Sequence, residues 1–228
     1  MSGNRRWFAV FAALTLLLTT SAIAAAQDGR IEYVEGDVWI ESGGQRSRAD
    51  FGTPVRRGDL IVTGADGVAI VTVSGGSQIK MRENSVVSLE SAASGAAVDL
   101  RRGGIFARVQ RAAAGTRGRF EVRTPTVVAG VRGTEFFVAY GRTVENLPDV
   151  WLCVNEGSVE VSVAEVSSST IVNEGEGINI LSGLRATDPR FYEWTTDLNW
   201  NFDPNQGEVR DSTDLDEAYS DLLDQDYD

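Results

Sequence analysis

Three carboxylates carry the most chemical reach in this chain: Asp59, Glu135 and Glu156. Two carboxyl groups flanking a glycosidic bond can hydrolyse it, one as acid and the other as base or nucleophile. Each of the three has a plainer explanation, however, because Asp59 and Glu156 adjoin glycines in turn-like stretches and Glu135 alternates along a strand-like run. Nothing else assists them. The chain has no histidine and a single cysteine, Cys153, which excludes Ser-His-Asp and Cys-His machinery, an imidazole-ligated zinc and an intrachain disulfide. A phosphate-binding glycine loop is also missing. The sequence therefore predicts no enzyme, no catalytic residue, no cofactor and no metal site. Cys153 lies in the apolar run Val150-Trp151-Leu152-Cys153-Val154 and reads as a buried small hydrophobe.

The remaining reactive groups are charges, and they are unevenly placed. The 228 residues carry a formal charge of −12, from 21 Lys+Arg against 33 Asp+Glu. Residues 201–228 hold ten acids and one base, Arg210, so −9 of the total belongs to the C-terminal tail. Residues 27–200 are nearly balanced at −5, and eight arginines cluster within them: Arg101, Arg102, Arg108, Arg111, Arg117, Arg119, Arg123 and Arg132, opposed in that interval only by Glu121. A solvated face explains such a run. It also suits a basic surface for an acidic partner, a polysaccharide or the chain's own tail. The overall negative balance argues against binding nucleic acid through phosphates.

The elements that must position these groups are short strands. Between residues 29 and 180 the pattern is brief apolar or alternating runs at 31–34, 38–40, 60–62, 68–73, 79–81, 86–89, 105–109, 136–140, 150–154, 159–163 and 178–181, separated by Gly, Asp, Asn, Ser and Pro. No helical period survives three turns there, so the body is all-β. Several strands enter through a glycine, which suits either a β-solenoid or β-roll, or a Greek-key β-sandwich.

Both ends differ from that body. Residues 1–26 place Arg5 and Arg6 before an uncharged apolar run and then small residues up to Ala26, the layout of a cleavable secretory signal peptide. The mature chain is expected to be periplasmic or secreted, with no transmembrane helix after cleavage. Residues 183–202 gather Phe191, Tyr192, Trp194, Trp200 and Phe202, either a cap on the β-domain or an exposed platform. Residues 203–228 form an acidic tail, disordered or a short helix, in which Leu215, Ala218, Tyr219, Leu222 and Leu223 recur at helical spacing. Tyr219, Leu222 and Leu223 join Arg101, Arg102, Arg108, Arg111, Arg117 and Arg119 as candidate partner contacts.

Four stretches go beyond strand grammar. They are Gly58-Asp59-Leu60-Ile61-Val62-Thr63-Gly64-Ala65-Asp66-Gly67; Gly75-Gly76-Ser77 with Asn84-Ser85; the run from Thr124-Pro125 to Arg132-Gly133-Thr134-Glu135-Phe136; and Glu156-Gly157-Ser158-Val159. In that order they resemble the FecR domain family, over residues 27–182. Asp59 and Thr63 have side chains able to satisfy turn amides beside Gly58 and Gly64, and Pro125 ends a ladder. Arg132, a rigid five-donor group, is expected to clamp backbone carbonyls inside the fold. Gly75-Gly76-Ser77 departs from the family's D-G-S pattern.

The resemblance implies a bacterial envelope protein similar to the periplasmic part of iron-dicitrate sensor regulators. Those regulators also carry a cytoplasmic anti-sigma segment, for which a leader at residues 1–26 leaves no place. The expected function is an exported, non-catalytic binding or scaffold module engaging an envelope protein or glycan, with envelope signalling in trans on a transporter or membrane regulator as the alternative.

Overall fold

The computed structural model describes residues 28–73, 75–92, 95–111, 120–144, 147–164 and 169–224. The leader at 1–26, Arg117 and Arg119 and the side chain of Leu223 lie outside the described residues. Every apolar run named above falls on a strand, except that Val109 lies one residue past its end. In chain order these are β1 (Gly29–Glu35), β2 (Val38–Ser42), β3 (Gln45–Arg48), β4 (Pro54–Val55), β5 (Leu60–Thr63), β6 (Val68–Val73), β7 (Gln78–Met81), β8 (Val86–Ala92) and β9 (Gly95–Arg108). They continue with β10 (Phe120–Arg123), β11 (Val127–Val131), β12 (Glu135–Val144), β13 (Leu147–Glu156), β14 (Ser158–Val163), β15 (Ser169–Asn173), β16 (Glu176–Leu181), β17 (Arg185–Ala186) and β18 (Arg190–Phe191). Two helices follow, α1 (Trp194–Asp197) and α2 (Leu215–Asp224).

The strands pair into two ladders that share one long strand. The first runs β4-β1-β6-β7-β9-β12-β13-β16, with β17 and β18 both on the far side of β16. The second runs β3-β2-β5-β8-β9-β10-β11-β14-β15. All pairings are antiparallel except β9 with β10. The architecture is thus all-β and open, with the chain passing repeatedly from one ladder to the other.

Strand β9 belongs to both ladders, and Gly103 is where it changes. Its φ is +91°, a region that an L side chain rarely adopts. A Cβ there would sit 2.3 Å from Ser85 Oγ and 2.6 Å from Ser85 Cα, so backbone as well as side chain blocks it. Gly103→Ala is therefore expected to cost about 3 kcal/mol, from strain plus overpacking. A urea midpoint indistinguishable from the parent chain's would contradict that.

Alternation along the strands separates two cores. Phe136, Val138, Val150, Leu152 and Val154 join a large cluster drawn from both ladders, which includes Ile31, Val38, Ile61, Val87, Leu100, Val122 and Val161. Their neighbours Phe137, Trp151 and Cys153 point the other way, into a second cluster on the outer face of the first ladder. There Val68, Ile70, Phe106, Phe137 and Trp151 pack against Tyr192, Leu198, Phe202, Val209, Ala218, Tyr219 and Leu222. The segment 192–224 is a strap across that outer face. The acidic tail is not a detached extension: its helical stripe lies on the chain's own sheet, where the apolar backs of β6, β9, β12 and β13 would otherwise face water.

Candidate functional site

Three parallel rows of side chains cross the outer face of the first ladder, as the register dictates. The central row pairs Tyr33 with Ile70, Ile70 with Lys80, Lys80 with Phe106, Phe106 with Phe137 and Phe137 with Cys153. Rings interlock in and beside it: the Phe106 and Phe137 centroids lie 4.8 Å apart, Phe137 and Trp151 of the adjacent row 5.1 Å, and Trp151 and Tyr192 of the strap 6.0 Å. Burial pushes the Cys153 thiol up to about 12, so it stays protonated and unreactive. That agrees with a cysteine serving as a small hydrophobe.

Two buried cations hold the strap down. Lys80, 1% exposed, donates from Nζ to the carbonyl oxygens of Asn199, Asn201 and Val209, the last two at 3.0 and 3.1 Å. The same ammonium lies 4.3 Å from the Phe106 ring centroid, and burial lowers its pKa to about 8. Arg82, also buried, reaches the Asp211 carboxylate at 3.2 Å and donates to the Thr213 carbonyl at 3.1 Å. Asp211 in turn accepts from the Asn199 backbone and the Thr213 hydroxyl at 2.8 and 2.9 Å.

Further pairs surround this pair of clamps. Arg108 donates to the Trp200 carbonyl at 3.0 Å while pairing with Glu135 at 3.0 Å. Arg142 sits over the Tyr219 ring and pairs with Asp216 at 3.1 Å. Arg210 of the strap reaches back to Glu35 at 2.8 Å, and that contact holds the Glu35 carboxyl below its ordinary range. The Tyr219 hydroxyl donates to Asp149, and burial with this bond raises its pKa. A cleft of about 260 Å³ remains beside α2, bounded by Arg82, Arg102, Tyr140, Trp151 and Tyr219.

The residues singled out from sequence are distributed differently from expectation. Tyr219 and Leu222, anticipated as partner contacts, are 2% and 1% exposed and face their own sheet. Of the arginines, Arg108 does meet the strap, whereas Arg101 donates to Ser88 at 3.5 Å and Arg102 to the Asn84 carbonyl at 3.3 Å. Arg111 is exposed beside Gly133. The clamps Lys80, Arg82 and Arg142 were missed, because each reads locally as an ordinary polar position. A usable signal was present in the uninterrupted apolar runs 68–71 and 150–154, which need cover on both faces of the sheet.

The turn residues do structural work. Asp59 accepts from the Arg56 backbone at 2.9 Å, and Thr63 donates to the Arg82 carbonyl at 2.6 Å while accepting from the Ser85 backbone. Thr124 accepts from the Val127 backbone at 3.0 Å, across the turn that holds Pro125, and Thr134 donates to the Ser158 carbonyl at 2.9 Å. Gly58 and Gly133 take φ of +80° and +61°, while Gly64 packs closely against Asp37 and Trp39. Arg132 corrects the expected internal clamp: it is exposed at the end of β11, because the turn at Gly133 directs it outward. Arg132→Ala is accordingly expected to change stability by less than about 0.5 kcal/mol, as for other surface substitutions, read from thermal melting. Of the carboxylates, Glu135 and Glu156 are cross-strand partners, but Glu135 is committed to Arg108, and Asp59 lies on the other ladder.

The second ladder presents a different outer surface. Along β5, β10, β11 and β14 buried residues alternate with half-exposed ones, and the strap does not cross this side. Its two edges contrast. Strand β3 carries Arg46 and Arg48, whereas β15 reads Ser-Thr-Ile-Val-Asn, uncharged and without proline, with Ile171 50% exposed.

Comparison with known proteins places a family description on part of this body. The family model described as FecR protein matches residues 59–165. Two solved structures from Parabacteroides distasonis, each described as a provisionally assigned anti-sigma factor, are similar at 20% identity. Their TM-scores are 0.49 and 0.47, over 58% and 57% of this chain. This chain spans 59% and 57% of the length of those chains. Comparison with curated proteins gave no match. Among the described residues no helix is long and apolar enough to cross a membrane.

Proposed function

Starting from the match of residues 59–165 to the FecR protein family, we propose that the chain is an exported, non-catalytic binding module of the bacterial cell envelope, built as a roll whose chain winds between two ladders. One observation carries the reading. One outer sheet face is covered over most of its extent by the chain's own strap, while the other is left open and ends in an uncharged edge strand. Such an edge offers unpaired N–H and C=O groups that an extended segment of a partner can continue. Ile171 on β15 and the exposed Arg132 near it on the same face supply an apolar and a charged contact.

The domain match favours one sharper version, in which the module signals in trans by engaging a transporter or membrane regulator. Site-specific photocrosslinking in intact cells tests the reading. A photoreactive residue at Ile171 should capture a discrete envelope protein, and one at Phe191 should not. Equal capture at both positions, or at neither, would sink it. Removing the protein should alter envelope gene expression if signalling in trans is correct. The absence of catalysis is checked by incubation with cell-wall polysaccharides, where new reducing ends would contradict it.

A further inference from the structure

The strap leaves one end of its own sheet face uncovered, and that end has the chemistry of a sugar site. The row flanking the central one pairs Arg30 with Thr72, Thr72 with Gln78, and Gln78 with Arg108. Of this row Thr72, Gln78 and Arg108, but not Arg30, line a groove of about 490 Å³ together with Phe51, Tyr33 and the turn Phe202-Asp203-Pro204-Asn205.

Two features there are not used by the fold. Phe51 is 75% exposed, the most exposed large apolar side chain among those described. The Thr72 hydroxyl and the Gln78 amide, adjacent across β6 and β7, have no hydrogen-bond partner among the described residues. By contrast the turn opposite is firmly set: Asp203 accepts from the Asn205 backbone, the Asn205 amide and the Gln206 amide, each at 2.9 Å. The groove therefore offers a flat apolar face, paired neutral donors and acceptors, and a rigid rim.

We infer that this groove binds a neutral oligosaccharide of two or three pyranose units, with Phe51 stacking on a sugar face and Thr72, Gln78 and Asn205 meeting its hydroxyls. A pyranose has one face of C–H groups and a rim of hydroxyls that both donate and accept, which matches aromatic and amide side chains together. Neutrality follows from the charges. Glu32 and Asp203 line the groove, and its one cation, Arg108, is already paired with Glu135, so an anionic sugar acid would meet net repulsion. The size also agrees, since ligand clefts for small molecules run from about 300 to 1,000 Å³. The groove presupposes the binding-module reading above, yet it lies on the opposite sheet from β15, so each can fail alone.

The test is titration of the full chain with maltotriose, cellotriose and the N-acetylglucosamine trimer. Binding is read by calorimetry and by NMR of the Gln78 and Asn205 side-chain amides. At least one sugar should shift both amides, and Phe51→Ala and Gln78→Ala should each weaken binding about tenfold or more with melting unchanged. No shift with any of the three up to about 10 mM, where a Kd of 1 mM would be nearly saturated, overturns the proposal. So does binding that both variants leave intact. Capture of protein rather than sugar by a photoreactive group at Phe51 in cells would overturn it in favour of a peptide groove, while leaving capture at Ile171 standing.

Discussion

A chain lacking residues 192–228 is expected to lose cooperative unfolding. The deletion would bare Val68, Ile70, Phe106, Phe137 and Trp151, all at most 2% exposed in the intact chain. Each such side chain gains about 1.5–3 kcal/mol from burial, and a domain has only about 5–15 kcal/mol of net stability to lose. Lys80 and Arg82 would also lose the carbonyls and carboxylate that they hold. Far-UV circular dichroism should still show strands, while the near-UV signal of the buried rings collapses and a hydrophobic dye binds. A sharp melt within about 5 °C of the full chain would mean that the strap is an accessory, because a shift of that size in a domain this long corresponds to a loss of only about 1–2 kcal/mol.

Lys80→Met carries the second large effect. Methionine keeps most of the apolar stem but leaves the carbonyls of Asn199, Asn201 and Val209 without their donor. Removing one side of a buried charged contact costs about 3 kcal/mol, offset in part by no longer burying an ammonium. The pH dependence reports on that offset. Burial holds Lys80 at about 8, below its ordinary value of 10.5. Between those two values the unfolded chain retains a proton that the folded chain has released, so this group's contribution to stability rises with pH across the window. Below pH 8 both states are protonated and the full cost of burying the charge applies. The urea-midpoint deficit of Lys80→Met relative to the parent should therefore be larger at pH 9.5 than at pH 7. A deficit that shrinks with pH would show that the three carbonyls raise the lysine's pKa instead.

The contrast between what sequence does and does not reveal follows from the range of the contacts. The turn at 58–67 was legible because Asp59 reaches only as far as Arg56 in the chain. The strands were legible because alternation is local, and the stripe Leu215, Ala218, Tyr219, Leu222 marked α2 for the same reason. Lys80 was not legible. It sits at one position of a four-residue strand, and its partners are more than a hundred residues away. The acidity of the tail was equally ambiguous, since Asp211 is buried against Arg82 while most of its acidic neighbours face water. A formal charge counts both kinds alike. Strand β3, wholly polar as Gln-Arg-Ser-Arg, and β15 were invisible as strands because edges need no apolar alternation.

One sheet face of the domain is covered over most of its extent by the chain's own strap, while the outer face of the second ladder is left open. Native-state hydrogen exchange tests that division most directly, by comparing the backbone amides of Phe137 and Trp151 in the sheet with those of Leu198 and Ala218 in the strap. If the strap is integral to the domain, all four exchange with the same opening free energy, equal to that of global unfolding. Strap amides that exchange orders of magnitude faster while Phe137 and Trp151 stay protected would show a separate, detachable segment and contradict the account.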